Sequence, residues 1–361
     1  MKNIKKLIRL ALCACGISGL MNFPAQAQTD IHVLDVGQGL SVLVESQGHY
    51  LLYDGGDRSA SSFVVSYLKQ EGVQTLDYVI ASHYDSDHLN GVVGSLNVFP
   101  SAQIYAPNYQ TDTKVFQSFE NVVASKGIPK SQPAVGTVFE LGDADIQVLS
   151  PSGSGYSDVN NYSIAIRVQD GNKSFLITGD AEAESEAQIC ATGLNLDSDV
   201  YVVGHHGSGT STSWDLLQKA TPEYAIISCG AGNSYGHPHI ETMEKLQAME
   251  IDVYRTDKQG TVIASTDGNS LTWNAEPCND YTPGDENDKP AQPQKSAGGE
   301  NQASTNQPQT AATTVYWTPG GKSYHNSRNC STLKRSKTIM EGNLSDALTA
   351  GKNDPCNVCV K

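Results

Sequence analysis

The chain has 361 residues, long enough for one full-sized core and an appended unit. It carries 39 acidic against 24 basic residues, a net charge of −15. That balance speaks against loose, charge-driven binding of nucleic acid by the body of the protein.

Residues 1–27 are set apart from the fold. Lys2, Lys5, Lys6 and Arg9 make a basic start, an apolar run extends from Leu7 to Met21, and Ala25-Gln26-Ala27 offers an A-x-A cleavage site. This is the pattern of a secretory signal peptide, so a secreted, periplasmic or extracellular protein is expected. Leu12-Cys13-Ala14-Cys15 leaves a lipoprotein alternative, although its apolar region is very short. No later apolar stretch is long enough to span a bilayer. Cleavage removes four basic residues and takes the net charge to −19. Export permits disulfides, but spacing does not say whether Cys190, Cys229 and Cys278 pair.

Three strands open the body: Ile31 to Val36, Leu40 to Val44 and Tyr50 to Asp54, joined by glycine turns as a meander. His32 reads as a surface residue of the first strand and not as a ligand. Ser59 to Gln70 follows as a helix, with Phe63, Val64, Tyr67 and Leu68 on one face. Leu76 to Ala81 is a short buried strand. Behind it comes Ser82-His83-Tyr84-Asp85-Ser86-Asp87-His88-Leu89-Asn90-Gly91. Two imidazoles and two carboxylates fall within six positions where a strand gives way to a loop. Borderline divalent metals take this mixture of nitrogen and oxygen donors. The bland alternative is a polar loop with a capping Asp and two solvated histidines. Val92 to Phe99 is expected to cap the site.

Residues 101–145 contribute a strand, a helix near Thr113 to Ser125 and a turn at Gly142-Asp143, with no visible chemistry. Tyr105, Tyr109 and Phe116 there read as packing. Asp145 to Ser150 and Ile164 to Val168 are strands, separated by Asp158-Val159-Asn160-Asn161-Tyr162-Ser163. The strand Ser174 to Thr178 ends in Gly179-Asp180, before a helix over Glu182 to Cys190. The strand Val200 to Val203 ends in Gly204-His205-His206-Gly207-Ser208. After a strand at Ala225 to Ser228, Tyr235-Gly236-His237-Pro238-His239 leads into a helix, Glu241 to Met249. Strands near Val253, Thr261 to Ala264 and Leu271 to Trp273 are expected to close the second sheet.

The His-x-Asp-x-Asp-His pattern resembles the signature of the metallo-β-lactamase-fold hydrolases over roughly residues 30 to 275. Leu34 to Gly39, Val203 to Ser208 and Tyr235 to His239 narrow the resemblance to the hydrolase domain of the ComEC competence proteins. The resemblance implies a four-layer αββα sandwich, α/β in class, with a dinuclear centre at one edge of the two sheets. It implies that His83 and Asp85 hold one cation, helped by Asn160 or Asn161. Asp87, His88 and His206 would hold the other, with Asp180 as a bridge. Asp54, in Asp54-Gly55-Gly56, takes a supporting role. The superfamily usually has a His where this chain has Asn-Asn, so one metal position is expected to be weaker or manganese-tolerant. His206 fits the last ligand better than His205, which would then face the substrate. His237 is a candidate for phosphate contact or leaving-group protonation, or simply a histidine at a helix start. At Leu40 the competence-type domains usually have Asp, which leaves substrate handling at that edge open.

Residues 279–313 are rich in Pro, Gln, Asn, Ser and Gly, a flexible linker that ends a body of residues 28–278. Residues 314–361 form a second unit. Val315 to Trp317 and Lys322 to His325 bracket a Gly-Gly turn and read as a hairpin, and a helix is expected over Ser345 to Ala350. His325, Cys330, Cys356 and Cys359 give a Cys3His set for one structural zinc, and so small a unit needs such a staple. It resembles the Ada-like metal-binding modules appended to secreted nucleases; a disulfide between two of the cysteines is the alternative. Residues 312–361 carry 7 basic and 3 acidic residues, which permits weak contact with nucleic acid.

The expected function is therefore that of an exported hydrolase with two zinc or manganese ions, in which Asp87, His205 and His237 take part in catalysis. A phosphodiester is the expected substrate, extracellular DNA first. Other exported phosphodiesters such as cell-wall phosphocholine, β-lactam or lactone opening, and a non-catalytic metal-containing binding protein are the alternatives.

Overall fold

A computed structural model describes residues 28–284 and, in the tail, residues 314–318, 321–325, 328, 330, 333, 339–343, 347, 352 and 354–355. The body opens with β1 (Thr29–Val33), β2 (Val42–Ser46), β3 (His49–Tyr53), α1 (Ser61–Gln70), β4 (Leu76–Ile80) and α2 (Ser86–Val98). Next come β5 (Ser101–Tyr105), α3 (Lys114–Lys126), β6 (Lys130–Ser131), β7 (Val138–Leu141) and β8 (Ala144–Val148). A 3₁₀ turn at Val159–Tyr162 precedes β9 (Ile166–Asp170), β10 (Lys173–Ile177), α4 (Ala183–Ala191) and β11 (Val200–Val202). The body ends with α5 (Trp214–Ala220), β12 (Tyr224–Ile227), α6 (Ile240–Ala248), β13 (Asp252–Arg255), α7 (Thr256–Gln259), β14 (Val262–Thr266) and β15 (Leu271–Trp273).

Two sheets form. One has the order β15-β14-β1-β2-β3-β4-β5-β6 and the other β13-β12-β11-β10-β9-β8-β7. The period-2 pattern of the strands places the layers. Ile31, Val33, Val42, Val44, Leu51, Tyr53 and Ile80 point inward, against Ile146, Ile166, Val168, Phe175, Ile177 and Val202 of the facing sheet. Their alternates Leu43, Leu52 and Val79 point outward, into a second cluster with α1, α2 and α3. Leu176, Tyr201 and Ala225 do the same on the other side, against α4, α5 and α6. The result is the expected αββα sandwich.

Three expectations are corrected. β14 and β15 belong to the first sheet, because β14 lies antiparallel to β1 with Ile31 opposite Ala264. Only β13 joins the second sheet, parallel to β12. Trp273 of β15 stacks on Tyr254 of β13 at 4.1 Å, so the edges of the two sheets touch here, and the sequence pattern cannot assign the strand to one of them. α2 begins inside the His/Asp motif, at Ser86, not after it. Leu89, Val92 and Leu96 fall at helical spacing and bury against the sheet, so this segment packs under the site and does not cap it. His32 is buried, not on the surface, because α1 covers the outer face of β1 and presents its Tyr67 hydroxyl to the ring.

In the tail, β16 (Thr314–Trp317) pairs antiparallel with β18 (Met340–Asn343), and β17 (Ser323–Tyr324) pairs parallel with β19 (Asp354–Pro355). Among the described residues the expected hairpin shows one antiparallel bridge, in which Tyr316 and His325 exchange both backbone hydrogen bonds. His325 and Cys330 are buried. Cys356, Cys359, most of the expected helix over Ser345–Ala350 and the leader lie outside the described residues. Among the described residues no helix is long and apolar enough to cross a membrane.

Candidate metal centre

Strands β3 and β4 run parallel, as do β10, β11 and β12. Their carboxyl ends therefore gather at one edge of each sheet, the usual place for a site in such folds. Asp54 follows β3, His83 follows β4, Asp180 follows β10, and His205 and His206 follow β11.

Packing at Tyr84 and at Gly91 holds the His83–Gly91 segment. Tyr84 buries its ring among Tyr109, Phe116 and Phe119 and donates its hydroxyl to the Pro107 carbonyl at 2.6 Å. Asp85 takes the N-cap position of α2, yet its side chain makes no capping bond and is left for the site. A Cβ on Gly91 would lie 1.8 Å from the Gly55 carbonyl oxygen, so the motif needs glycine for α2 to touch the Asp54-Gly55-Gly56 turn. That contact brings Asp54 under His88.

Asp54 connects two parts of the motif. Its Oδ1 accepts the Ser82 amide at 2.8 Å, and its Oδ2 accepts the Ser82 hydroxyl at 2.6 Å and faces His88 Nδ1 at 2.8 Å. His88 Nδ1 thus carries the hydrogen and Nε2 is turned toward the cleft. Nε2 lies 3.1 Å from Asp180 Oδ2 and 3.2 Å from His206 Nε2. His206 is fixed in the same way: Nδ1 donates to the Ser228 carbonyl at 3.0 Å, leaving Nε2 3.4 Å from Asp180 Oδ2 and 3.5 Å from Asp87 Oδ2. His83 Nδ1 meets the Ser82 hydroxyl at 3.0 Å, and its Nε2 lies 3.8 Å from Asp85 Oδ2.

The structure thus brings His83, Asp85, Asp87, His88, Asp180 and His206 together. Donor atoms of His83, His88 and Asp180 lie within 4.8 Å of one another, and so do those of Asp87, His88 and His206. The two groups meet at His88. His83 Nε2 and Asp180 Oδ1 are buried with no hydrogen-bond partner. Unmet polar atoms of this kind cost about 1–3 kcal/mol each, and a pair of divalent cations would satisfy both. The residues present therefore fit such cations.

The electrostatics agree. Burial alone would lower the His88 pKa, but the Asp180 and Asp54 carboxylates outweigh it and hold it well above 6.5. His206 is raised to about 9 against the same burial, by Asp180 and Asp87. Burial would raise the carboxyls of Asp180 and Asp87, but His88 and His206 pull both below 3.8. Protons thus hold the positive charge that cations would supply, and loading must displace them.

Two further histidines line the centre. His205 and His206 both have left-handed backbones, at φ 51° and 57°, a strained pair costing about 1–3 kcal/mol each. This twist sends neighbouring side chains to different places. His205 Nδ1 contacts the Thr210 hydroxyl at 3.2 Å, and its Nε2 is 3.7 Å from Asp180 Oδ2, at the rim. His237 is buried, with its ring 5.5 Å from that of His205. Gln38 fixes its tautomer. Gln38 Oε1 accepts the Gly230 amide at 3.2 Å, so the amide nitrogen faces His237 Nδ1 at 3.1 Å as donor. Nδ1 must accept, and Nε2 carries the hydrogen. Burial, followed by the nearby His206, His239 and His205, lowers the His237 pKa to about 3. Gln38 lies between Gly37 and Gly39, and no local pattern links it to a histidine 199 positions away.

Asn161, expected as a weak ligand, has another task. Its Oδ1 accepts the amides of Glu182 at 3.2 Å and Ser185 at 3.1 Å, at the start of α4. The neighbouring Asn160 has its Oδ1 buried without a partner.

Comparison with known proteins identifies the family. Residues 34–231 match the family model described as the metallo-beta-lactamase superfamily. The chain is 30% identical over 277 residues to ComE operon protein 3 of Bacillus subtilis strain 168, covering 70% of this chain and 35% of that protein. It is 32% identical over 252 residues to competence protein ComA of Neisseria gonorrhoeae, covering 68% and 34%. It is 35% identical over 237 residues to recombination protein 2 of Haemophilus influenzae, covering 64% and 28%. The chain therefore spans about a third of the length of these relatives. Among solved structures, the metallo-beta-lactamase fold protein YhfI of Bacillus subtilis aligns over 66% of this chain and 100% of its own, at 15% identity and a TM-score of 0.46. The matched span contains Asp54, the whole His83–Gly91 motif, Asp180 and His206, and the chain belongs to the metallo-beta-lactamase superfamily.

Proposed function

We propose that this metal-dependent hydrolase is an exported phosphodiesterase with DNA as substrate. The observation that carries the reading is the pair of three-donor groups meeting at His88, with a neutral imidazole, His237, beside them. The names of relatives, which speak of competence and recombination, support DNA as the substrate class. In this reading His83 and Asp85 hold one cation, Asp87, His88 and His206 hold the other, and Asp180 lies between them. The amide oxygen that completes the first set is assigned to Asn160, since Asn161 spends its own on α4. Cations bound there supply a nucleophilic water near neutral pH and stabilise charge on a phosphate.

The protein's own residues orient and exchange protons. His237 is neutral at working pH, so it cannot protonate a leaving group as an imidazolium. Its Nε2–H instead donates to a non-bridging phosphate oxygen, with Gln38 keeping that tautomer. His205 stands at the rim, positioned by Thr210 and 3.5 Å from Glu182, where it can pass a proton between the leaving oxygen and solvent. Asp54 orients His88 and touches no substrate. We assign residues 28–284 to the hydrolase domain, six residues beyond the expected end at 278, because Asn279, Asp280, Tyr281, Thr282 and Gly284 still bond to the body. The stretch from there to 313 is assigned to a linker. Residues 314–361 form a zinc-binding unit through His325, Cys330, Cys356 and Cys359, and residues 1–27 form the leader that exports the chain.

The test is turnover of a bis-aryl phosphodiester and of linear DNA by the zinc- or manganese-loaded chain, beside Asp87→Asn. Turnover of both that collapses in the variant is expected. Equal rates in the two proteins, or no phosphodiester cleavage alongside rapid opening of a β-lactam or lactone, would overturn the reading.

A further inference from the structure

A second group of donors lies on the outer face of β1 and β2, and the hydrolytic centre does not use it. Asp30 and His32 alternate along β1 and share that face, and Asp30 pairs across the ladder with Glu45. Donor atoms of Asp30, His32 and Glu45 lie within 4.8 Å of one another. His32 is only 4% exposed. Its Nδ1 sits 2.7 Å from the Tyr67 hydroxyl of α1, while its Nε2 is buried with no hydrogen-bond partner.

The charges around this ring are one-sided. Burial lowers the His32 pKa, although Glu71 and Asp30 pull the other way, so the ring is neutral at pH 7. Burial raises the Glu45 carboxyl, and the charges of Asp30 and Glu71 add to the rise. Among the described residues no lysine or arginine forms an ion pair with Asp30, Glu45 or Glu71. A buried ring nitrogen without a partner thus stands beside carboxylates that no lysine or arginine neutralises.

We propose that Asp30, His32 and Glu45 bind one divalent cation of the zinc or manganese class, separate from the hydrolytic centre. His32 Nε2 offers the nitrogen; with the ion there, Nδ1 carries the hydrogen and donates it to the Tyr67 hydroxyl. One imidazole with two carboxylates suits borderline cations; calcium and magnesium favour oxygen-only sets. Three protein donors leave room for water. Such an ion would tie β1 to β2 and stabilise the folded body by mass action.

The intact chain is stripped with EDTA and titrated with zinc, and bound zinc is counted for wild type, Glu45→Gln and His32→Gln. Each variant is expected to hold one equivalent fewer, to hydrolyse phosphodiesters at the wild-type rate and to gain less thermal stability from zinc. Excess magnesium should leave the difference intact. Equal zinc counts in all three proteins overturn the site. Zinc-edge anomalous diffraction from wild-type crystals gives a check without variants. A peak bounded by Asp30, His32 and Glu45 supports the site. No peak there, with the hydrolytic centre filled, overturns it.

Discussion

The molecule holds two donor groups that share one device and differ in its strength. In the hydrolytic centre, a carboxylate, Asp54, backs the His88 ring at 2.8 Å. On the outer face of β1, a neutral hydroxyl, Tyr67, backs the His32 ring at 2.7 Å. A carboxylate behind an imidazole raises its basicity; a hydroxyl fixes its orientation but adds little charge. The pKa shifts differ as well: Asp180, together with Asp54, holds His88 well above 6.5 against its burial, whereas burial takes His32 below 6.5. Both groups have buried nitrogen without a partner, at His83 and at His32. The centre built for chemistry stores protons that cations displace. The strand site stores only unbalanced negative charge.

The largest expected effect separates the two groups outright. Asp180→Asn removes the carboxylate shared by the first group, so phosphodiester turnover should fall by about 10²–10³-fold or more. Zinc binding at Asp30, His32 and Glu45 should not change. Metal counts together with single-turnover rates check both statements. If Asp180→Asn also empties the strand site, the two groups are not independent.

The next effect tests the backing carboxylate. Asp54→Asn leaves the size of the side chain but weakens its hold on His88, so metal affinity at the centre should drop by about 10–100-fold. Isothermal titration with zinc measures it, and an unchanged affinity would remove Asp54 from its assigned role.

Acidity gives a third separation, with opposite signs. His206 has its folded pKa raised from 6.5 to about 9. Its contribution to the metal-free fold is complete below 6.5 and is lost as pH rises through about 9. That contribution is of order a few kcal/mol. His32 has a lowered folded pKa, so the fold loses its contribution as pH falls below 6.5. Melts of the stripped chain across this range should show both limbs; His83 and His237 of the centre also feed the acid limb, so the share of His32 is the part that His32→Gln removes. Metal loading should flatten the alkaline limb, because cations replace the protons on His88 and His206, and protons should be released when metal is added.

The smallest effect is at Tyr67. Tyr67→Phe removes a neutral partner and should weaken zinc at the strand site by less than about tenfold. Catalytic rates should stay at wild type, which a kinetic assay on the loaded chain decides.

The two groups also differ in how far they can be read from the chain. The hydrolytic donors sit at strand ends, in short runs such as His83 to His88 and Gly204 to Ser208, where local composition marks them. Asp54 stands out through Gly55 and Gly56. The strand group leaves no local mark: Asp30, His32 and Glu45 look like ordinary alternation on a half-exposed strand. Only the helix α1, laid over that face, buries His32. Gln38 escapes for the same reason, since its partner is far along the chain. The layers of the fold follow from alternation in Ile31 to Val44 and from helical spacing in Leu89 to Leu96. The sheet that receives β14 and β15 does not, because pairing partners are set by tertiary contact and not by the strand's own pattern.

The pairing of β14 with β1 bears on how the protein is made. Thr29, at the start of the body, bonds across to Thr266, near its end. The first sheet therefore stays open until almost the whole body has been synthesised, with β1 as a bare edge on one side. Closure over so long a loop is a late step in folding. Cutting the chain after Gly284 should leave a complete body, because Asn279, Asp280, Tyr281, Thr282 and Gly284 bond to Val253, Arg255, Ile251 and Pro238, whereas a cut a few residues before Val262 should leave a sticky, unclosed one.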